Sequence, residues 1–174
     1  MNSECSRTAD QLRRAFHGDA WHGPSLREVL DGITAEQANS RPLASAHSIW
    51  ELLLHIEVWV RAPHAAMSGK AMPALDKTDH IDPDIDWPPV KASGPSDWEA
   101  AKKRAFQAAD DFIAAIKDFG DERLTKIVPG RNYDFYFLLH GVVQHTLYHA
   151  GQIAILKKET LGRHVTPDAL SSRA

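Results

Sequence analysis

The stretch 140–156, HGVVQHTLYHAGQIAIL, constrains the fold of this chain more than any other. Its apolar side chains recur at spacings of four and three residues, which is typical of the buried face of an α-helix. The positions on this face are Leu138, Val142, His145, His149, Gln152 and Leu156. Two imidazoles and an amide therefore occupy places where a bundle helix usually carries aliphatic groups. Burying them is unfavourable unless each finds a partner, and one metal ion can bind both imidazoles.

Composition and charge limit the class of protein. The 174 residues are 43% hydrophobic and 25% charged, which is ordinary for a soluble globular protein and predicts one domain over 1–174. The net charge of −3, with acids and bases interspersed, argues against a nucleic-acid partner. Cys5 is the only cysteine, so an internal disulfide is excluded and a reducing compartment is favoured. Without a signal-peptide pattern or a membrane-length apolar run, we expect a cytoplasmic protein with no membrane partner.

Helical periodicity predicts four main helices and therefore an all-α four-helix bundle. The first helix is expected to be broken once, at 19–23, and a polar connection is expected at 34–42. A capping box of Ser96 and Glu99 is expected to begin the third helix. The predicted main helices cover 6–33, 45–67, 96–119 and 134–158.

Two segments without helical periodicity complete the prediction. Five prolines punctuate 68–95, the long crossover between the second and third main helices. Such long connections are usually functional or disordered, and we favour an ordered crossover that forms a pocket wall over a flexible tether. The segment 162–174 is expected to be a polar tail.

His55 is the best candidate for a third metal ligand. It lies on the broad apolar face of the second main helix, three residues after Leu52 and four before Trp59. Together with His145 and His149 it would hold one divalent transition metal. Imidazole ligands suit zinc, nickel, copper or iron, and zinc or nickel is favoured. Three imidazoles leave a coordination position open, as in catalytic rather than structural sites. The alternative is that all three are hydrogen-bonded core histidines.

Several other residues are candidates for the surroundings of this site. Glu51 and Gln152 lie one helical turn from His55 and His149, so either could orient a ligand; Glu51 could instead be a fourth ligand or a base. Trp21 lies in the break of the first helix, where it would face a cleft or cover the end of the bundle. The remaining pocket candidates are aromatic: Trp59, Trp87 and Tyr148.

Three segments resemble the DinB-like (DinB/YfiT) superfamily of putative metalloenzymes: DAWHGPSLREVL at 19–30, SIWELLLHIEVW at 48–59 and GVVQHTLYHAGQIAILKK at 141–158. The resemblance spans nearly the whole chain. It implies a four-helix bundle with a long crossover, a divalent metal on His55, His145 and His149, and a homodimer.

For function, the resemblance implies transferases and isomerases that use low-molecular-weight thiols such as bacillithiol or mycothiol. The thiol would bind the metal as a thiolate and attack an electrophilic small molecule, so the protein needs no nucleophile of its own. Metal-dependent hydrolysis is the alternative enzymatic reading, and a non-catalytic bundle that binds metal or a small ligand is the third. No catalytic residue beyond the metal ligands is predicted.

Overall fold

The structure, a computed structural model, describes residues 3–75 and 80–162. In these residues the chain forms seven α-helices and no β-sheet, so the all-α prediction is confirmed. No helix in the described ranges is both long and apolar enough to cross a membrane. Apart from Gly162, the predicted polar tail lies outside the described residues, as do positions 76–79 of the crossover. The helices are α1 (Glu4–His17), α2 (Leu26–Leu30), α3 (Ala35–Asn39), α4 (Ile49–Met67), α5 (Pro83–Asp86), α6 (Pro95–Lys117) and α7 (Phe135–Gly162).

The four long helices form the bundle. Helix α4 packs against α6 and α7, and α1 packs against the same two helices from the other side. Their facing side chains are fully buried and make one continuous core, which burial of apolar surface stabilises. The largest fully buried side chains include Trp98, Phe16, Phe112 and Leu12 of the long helices and Leu26 and Leu30 of α2. The predicted four-helix bundle is therefore confirmed.

The predicted break in the first helix is also present. Helix α1 ends at His17, and Asp19 adopts a left-handed backbone with φ of 61°, which a continuing helix does not allow. Helix α2 begins after Ser25, whose side chain and that of Glu28 cap it reciprocally. The polar connection expected at 34–42 contains a short helix, α3. Thr34 and Gln37 form the capping box that marks its start.

Helix α4 carries one of the candidate ligands, and its own capping box defines its register. It begins at Ile49 rather than near residue 45, because the Ser48 hydroxyl accepts the Glu51 N–H and the Glu51 carboxylate accepts the Ser48 N–H. Pro63 lies inside the helix without ending it. The continuous helix places His55 on the side that faces α7.

The crossover ends at α6, whose start differs from the prediction. Pro95 occupies the first helical position, where its missing N–H is not needed, and the Asp97 carboxylate accepts the N–H of Gly94 at 3.1 Å. The capping box expected from Ser96 and Glu99 was wrong, since the proline begins the helix earlier. Within the described part of the crossover, α5 is a single turn that packs against α4.

Candidate metal centre

Three imidazole rings from two helices converge at the interface of α4 and α7. The Nε2 atom of His145 lies 2.9 Å from Nε2 of His55 and 3.0 Å from Nε2 of His149. His55 and His149 are buried, and His145 is half-buried. The four-residue spacing in α7 puts His145 and His149 one turn apart on one face, and the packing of α4 brings His55 to them. The structure thus brings together the three histidines selected from the sequence.

Oxygen acceptors fix the tautomers of two of these rings. His55 Nδ1 lies 2.7 Å from the carbonyl oxygen of Asp86, and His149 Nδ1 lies 2.7 Å from Oε1 of Gln152. Because both oxygens only accept, each Nδ1 carries the hydrogen and donates it. The Nε2 atoms of both rings therefore present lone pairs towards His145, whose own buried Nδ1 has no hydrogen-bond partner.

This arrangement fits a divalent metal ion. Two lone pairs directed at the nitrogen of a third ring can share one proton at most, whereas an ion would accept all three. Nitrogen ligands of a tetrahedral zinc ion lie about 3.4 Å from one another, so shifts of about half an ångström would accommodate it. The described residues contain this one cluster of three or more potential ligands, and its all-imidazole composition suits late first-row transition metals.

The electrostatics of the cluster keep the imidazoles neutral, as metal ligands must be. Burial lowers the pKa of His145 to about 3, and repulsion from His149 and His55 adds to this. Burial also lowers the pKa of His55 and of His149, although the contacts with Asp86 and Gln152 oppose the shift. All three rings are consequently available as ligands at neutral pH.

The cluster opens into a cavity of about 460 Å³. This volume lies within the range of small-molecule sites, and the walls are mainly aromatic and aliphatic, as is usual for such sites. Trp59 and Trp87 cover the histidines on the side of α4 and the crossover. The other lining residues come mostly from α7 and the turn before it: Tyr133, Phe137, Leu138, Gly141, Val142 and Tyr148.

Comparison with protein families explains why these segments occur together. The family model of the DinB superfamily matches residues 19–153, a range that includes all three histidines. The chain belongs to the DinB superfamily. No curated protein and no solved structure matches it. The family assignment made from the three sequence segments is thereby confirmed, and the cavity described above is that of a DinB superfamily member.

Trp87 occupies a central place in this DinB superfamily protein. Its indole ring is sandwiched between two imidazoles, with centroids 3.8 Å from His55 and 3.6 Å from His47 and with nearly parallel planes. A second cavity, also about 460 Å³, lies on the His47 side, and Trp87, Tyr148 and His149 line both cavities. The crossover thus contributes the wall between them.

Two residues predicted from the sequence to lie near the metal site, Glu51 and Trp21, do not line the cavity. Glu51 caps α4 and contacts Arg41, so its carboxylate is engaged away from the cluster and is absent from the cavity lining. Glu51 lies one turn before His55 on α4, but its carboxylate accepts the free backbone N–H of Ser48 at the start of the helix. Trp21, in the turn between α1 and α2, is fully exposed and lines neither cavity.

Sequence reasoning did not identify two residues near the cluster, Asp86 and His47. Asp86 contacts His55 through its carbonyl oxygen and, at 3.3 Å, through Oδ1, which also accepts the Trp59 indole N–H at 2.8 Å. Its only signal in the sequence is that it directly precedes Trp87 in the crossover. His47 precedes the start of α4, and nothing in the sequence indicates that an indole ring stacks between it and His55.

Proposed function

We propose that this protein is a metal-dependent transferase that joins a low-molecular-weight thiol to an electrophilic small molecule. The observation that carries the proposal is the convergence of three Nε2 atoms at the base of an apolar, aromatic cavity. His55, His145 and His149 would hold one zinc or nickel ion. When bound, such an ion supplies a positive charge that lowers the pKa of a coordinating thiol.

The remaining cavity residues favour a thiol over water as the nucleophile. Among the described residues that line the cavity, Asp86 is the only carboxylate, and it is engaged with Trp59 and His55. Activation of water usually requires a base within hydrogen-bond reach, whereas a thiol loses its proton more readily. In the transfer, the thiol proton goes to solvent, a sulfur–carbon bond forms, and the leaving group departs with its bonding electrons.

The aromatic walls would bind and orient the electrophile. Trp59, Phe137 and Tyr133 line the cavity beside the histidines and would limit the contact of water with the reacting atoms. The Tyr148 ring lies at the cavity margin with 65% of its surface exposed, where its hydroxyl can reach a polar group of a bound molecule. The cavity would therefore select a largely apolar substrate of modest size.

The protein's own cysteine is unsuited to act as the nucleophile. Cys5 is buried in α1, and burial together with the contact to Asp121 raises its pKa to about 11. At neutral pH it remains a thiol, so the reactive sulfur must come from a cosubstrate.

Low-molecular-weight thiols are kept reduced in the cytoplasm, and we infer that the protein is located there. Fractionation of expressing cells tests this location, and recovery of the protein in the membrane or secreted fraction would contradict it.

A homodimer is also part of the proposal. Phe137, Tyr148 and Ile155 form an exposed apolar stripe along α7, with each side chain more than half exposed. Their spacings of eleven and seven residues place them on one face of the helix, which suits packing against the same face of a second copy. Light scattering should give the mass of a dimer for the wild type and a lower mass for Ile155→Lys. A monomeric wild type would contradict this part.

The central test is metal analysis of protein purified without a histidine tag. We expect about one equivalent of a divalent metal in the wild type and almost none in His145→Ala. His140→Ala is the matched control: His140 lies on the same helix but contacts Glu4 outside the cluster, so its removal should leave the metal content unchanged. A wild type without bound metal, or equal contents in wild type and His145→Ala, would refute the metal centre.

The reaction is then tested with defined probes. Glutathione, bacillithiol and mycothiol are each offered with a haloaromatic electrophile, and the thioether product is measured. Product formation that requires both metal and thiol supports the transferase. Cleavage of ester or amide probes without any thiol would instead establish a hydrolase, and metal binding without turnover of either probe set would indicate a binding protein.

A further inference from the structure

We propose that Asp86 is a positioning residue for the metal centre, acting through His55. The inference rests on the proposed metal-binding function. Asp86 is the last residue of α5, so the crossover brings it to the cluster, and its carbonyl oxygen accepts the Nδ1 hydrogen of His55 at 2.7 Å. That hydrogen bond leaves the lone pair of His55 on Nε2, the atom that points to the other two histidines.

A second hydrogen bond holds the carbonyl in place. The Asp86 carboxylate accepts the indole N–H of Trp59 at 2.8 Å, and Trp59 lies one turn after His55 on α4. The side chain therefore anchors the α5 turn to the same helix that carries the ligand. If this anchor were lost, the carbonyl would be free to leave His55, and the ring could then rotate or carry its hydrogen on Nε2, where it cannot bind an ion.

The same contacts couple metal binding to the docking of the crossover. The amides of Ile85, Asp86 and Trp87 are hydrogen bonded to the carbonyls of Asp82 and Pro83, so α5 is an ordered turn when docked. An ion that selects the docked orientation of His55 must, by thermodynamic reciprocity, also favour the docked turn. Metal binding should accordingly stabilise the α5 turn of the crossover as well as the orientation of the ligands.

Metal affinity in four variants tests the positioning role. Asp86→Ala removes the anchor, and zinc should bind roughly 10- to 100-fold more weakly, as for other groups that orient a metal-binding histidine. Trp59→Phe removes the donor of the same hydrogen bond and keeps the aromatic ring, so it should weaken binding in the same direction. Asp86→Asn keeps an oxygen acceptor for Trp59 and should restore affinity to within about threefold of wild type. Asp84→Ala, at an exposed carboxylate of the same turn, is the matched control.

Hydrogen exchange supplies a readout that does not depend on any variant. In the wild type, zinc should slow exchange of the amides of residues 85–87. Amides of α6 that exchange by local fluctuation should be unaffected, because α6 contributes nothing to the cavity. Thermal unfolding of the metal-free variants separates loss of affinity from loss of fold. A purely structural role for Asp86 would lower unfolding temperature without changing the affinity of the folded protein for zinc.

The outcomes distinguish this proposal from the proposed function. If the wild type binds neither zinc nor nickel, both are refuted. If the wild type binds zinc and Asp86→Ala binds it as tightly as Asp84→Ala, only the positioning role is refuted, and the metal centre stands. Unchanged exchange of residues 85–87 on adding zinc would likewise overturn the coupling between the crossover and the metal.

Discussion

The metal-free protein is expected to lose stability in mild acid because the histidine cluster is held neutral. Burial lowers the pKa of His145 from the ordinary value of 6.5 to about 3, and the pKa values of His55 and His149 shift in the same direction. Below pH 6.5 these histidines therefore bind protons in the unfolded chain but remain neutral in the folded protein. The stability due to the depressed pKa is fully present above pH 6.5 and is lost as the pH falls towards 3.

The size of this effect follows from proton linkage. Consider an imidazole that is neutral in the folded protein and protonated in the unfolded chain. The free energy of unfolding then falls by about 1.4 kcal/mol for every pH unit below the pKa of that imidazole in the unfolded chain. Between neutrality and pH 5, His145 alone accounts for about 2 kcal/mol, and the other two rings add to the loss. For a domain whose total stability is about 5–15 kcal/mol, such a change is readily measured.

Urea titrations of metal-free protein at several pH values provide the assay. Replacing His145 with leucine suits the apolar cavity and removes one titrating group, so between neutrality and pH 5 His145→Leu should lose about 2 kcal/mol less stability than wild type. His22→Leu, at an exposed histidine, should follow the wild-type pH dependence. Equal pH dependence in wild type and His145→Leu would show that His145 protonates freely in the folded state, and the reasoning from burial would be wrong.

Four further outcomes are expected. Gln152→Leu removes the acceptor that holds His149 and should weaken zinc binding in calorimetric titrations; unchanged affinity would contradict this. Glu51→Ala should reduce stability by about 1 kcal/mol in urea without changing zinc affinity, as a cap and not a ligand. Phe112→Ala, at a fully buried ring, should reduce the free energy of unfolding by about 3–5 kcal/mol in the same titration. A smaller loss would indicate that neighbouring side chains relax into the cavity. Cys5 should react with iodoacetamide only on unfolding, and rapid labelling of native protein would refute its burial.

Sequence patterns predicted the bundle and the ligand cluster because both depend on helical periodicity. A buried face fixes which side chains point inward, so histidines on the inner faces of α4 and α7 meet once those faces pack. His55, His145 and His149 could be chosen in this way without knowledge of the loops. The same argument identified Gln152, whose one-turn spacing from His149 is a local property of α7.

The surroundings of the cluster could not be predicted to the same extent. Asp84 and Asp86 are equivalent in the sequence, and only the path of the crossover places Asp86 against His55. Glu51 was expected to orient His55, to bind the metal or to act as a base, yet its carboxylate instead accepts the Ser48 N–H at the start of α4. Trp21 was expected to face a cleft or cover the end of the bundle because it lies in the break of the first helix, yet its side chain is fully exposed. Periodicity carries no information on such choices.

The distribution of the ligands along the chain has a consequence for folding kinetics. His145 and His149 come together as soon as one turn of α7 forms, whereas His55 is 90 residues from His145 and arrives only when α4 docks. An ion held by the pair on α7 would stabilise that turn early and reduce the nucleation cost of the helix. Zinc present during refolding should therefore accelerate it, while zinc added to the native protein should mainly slow unfolding.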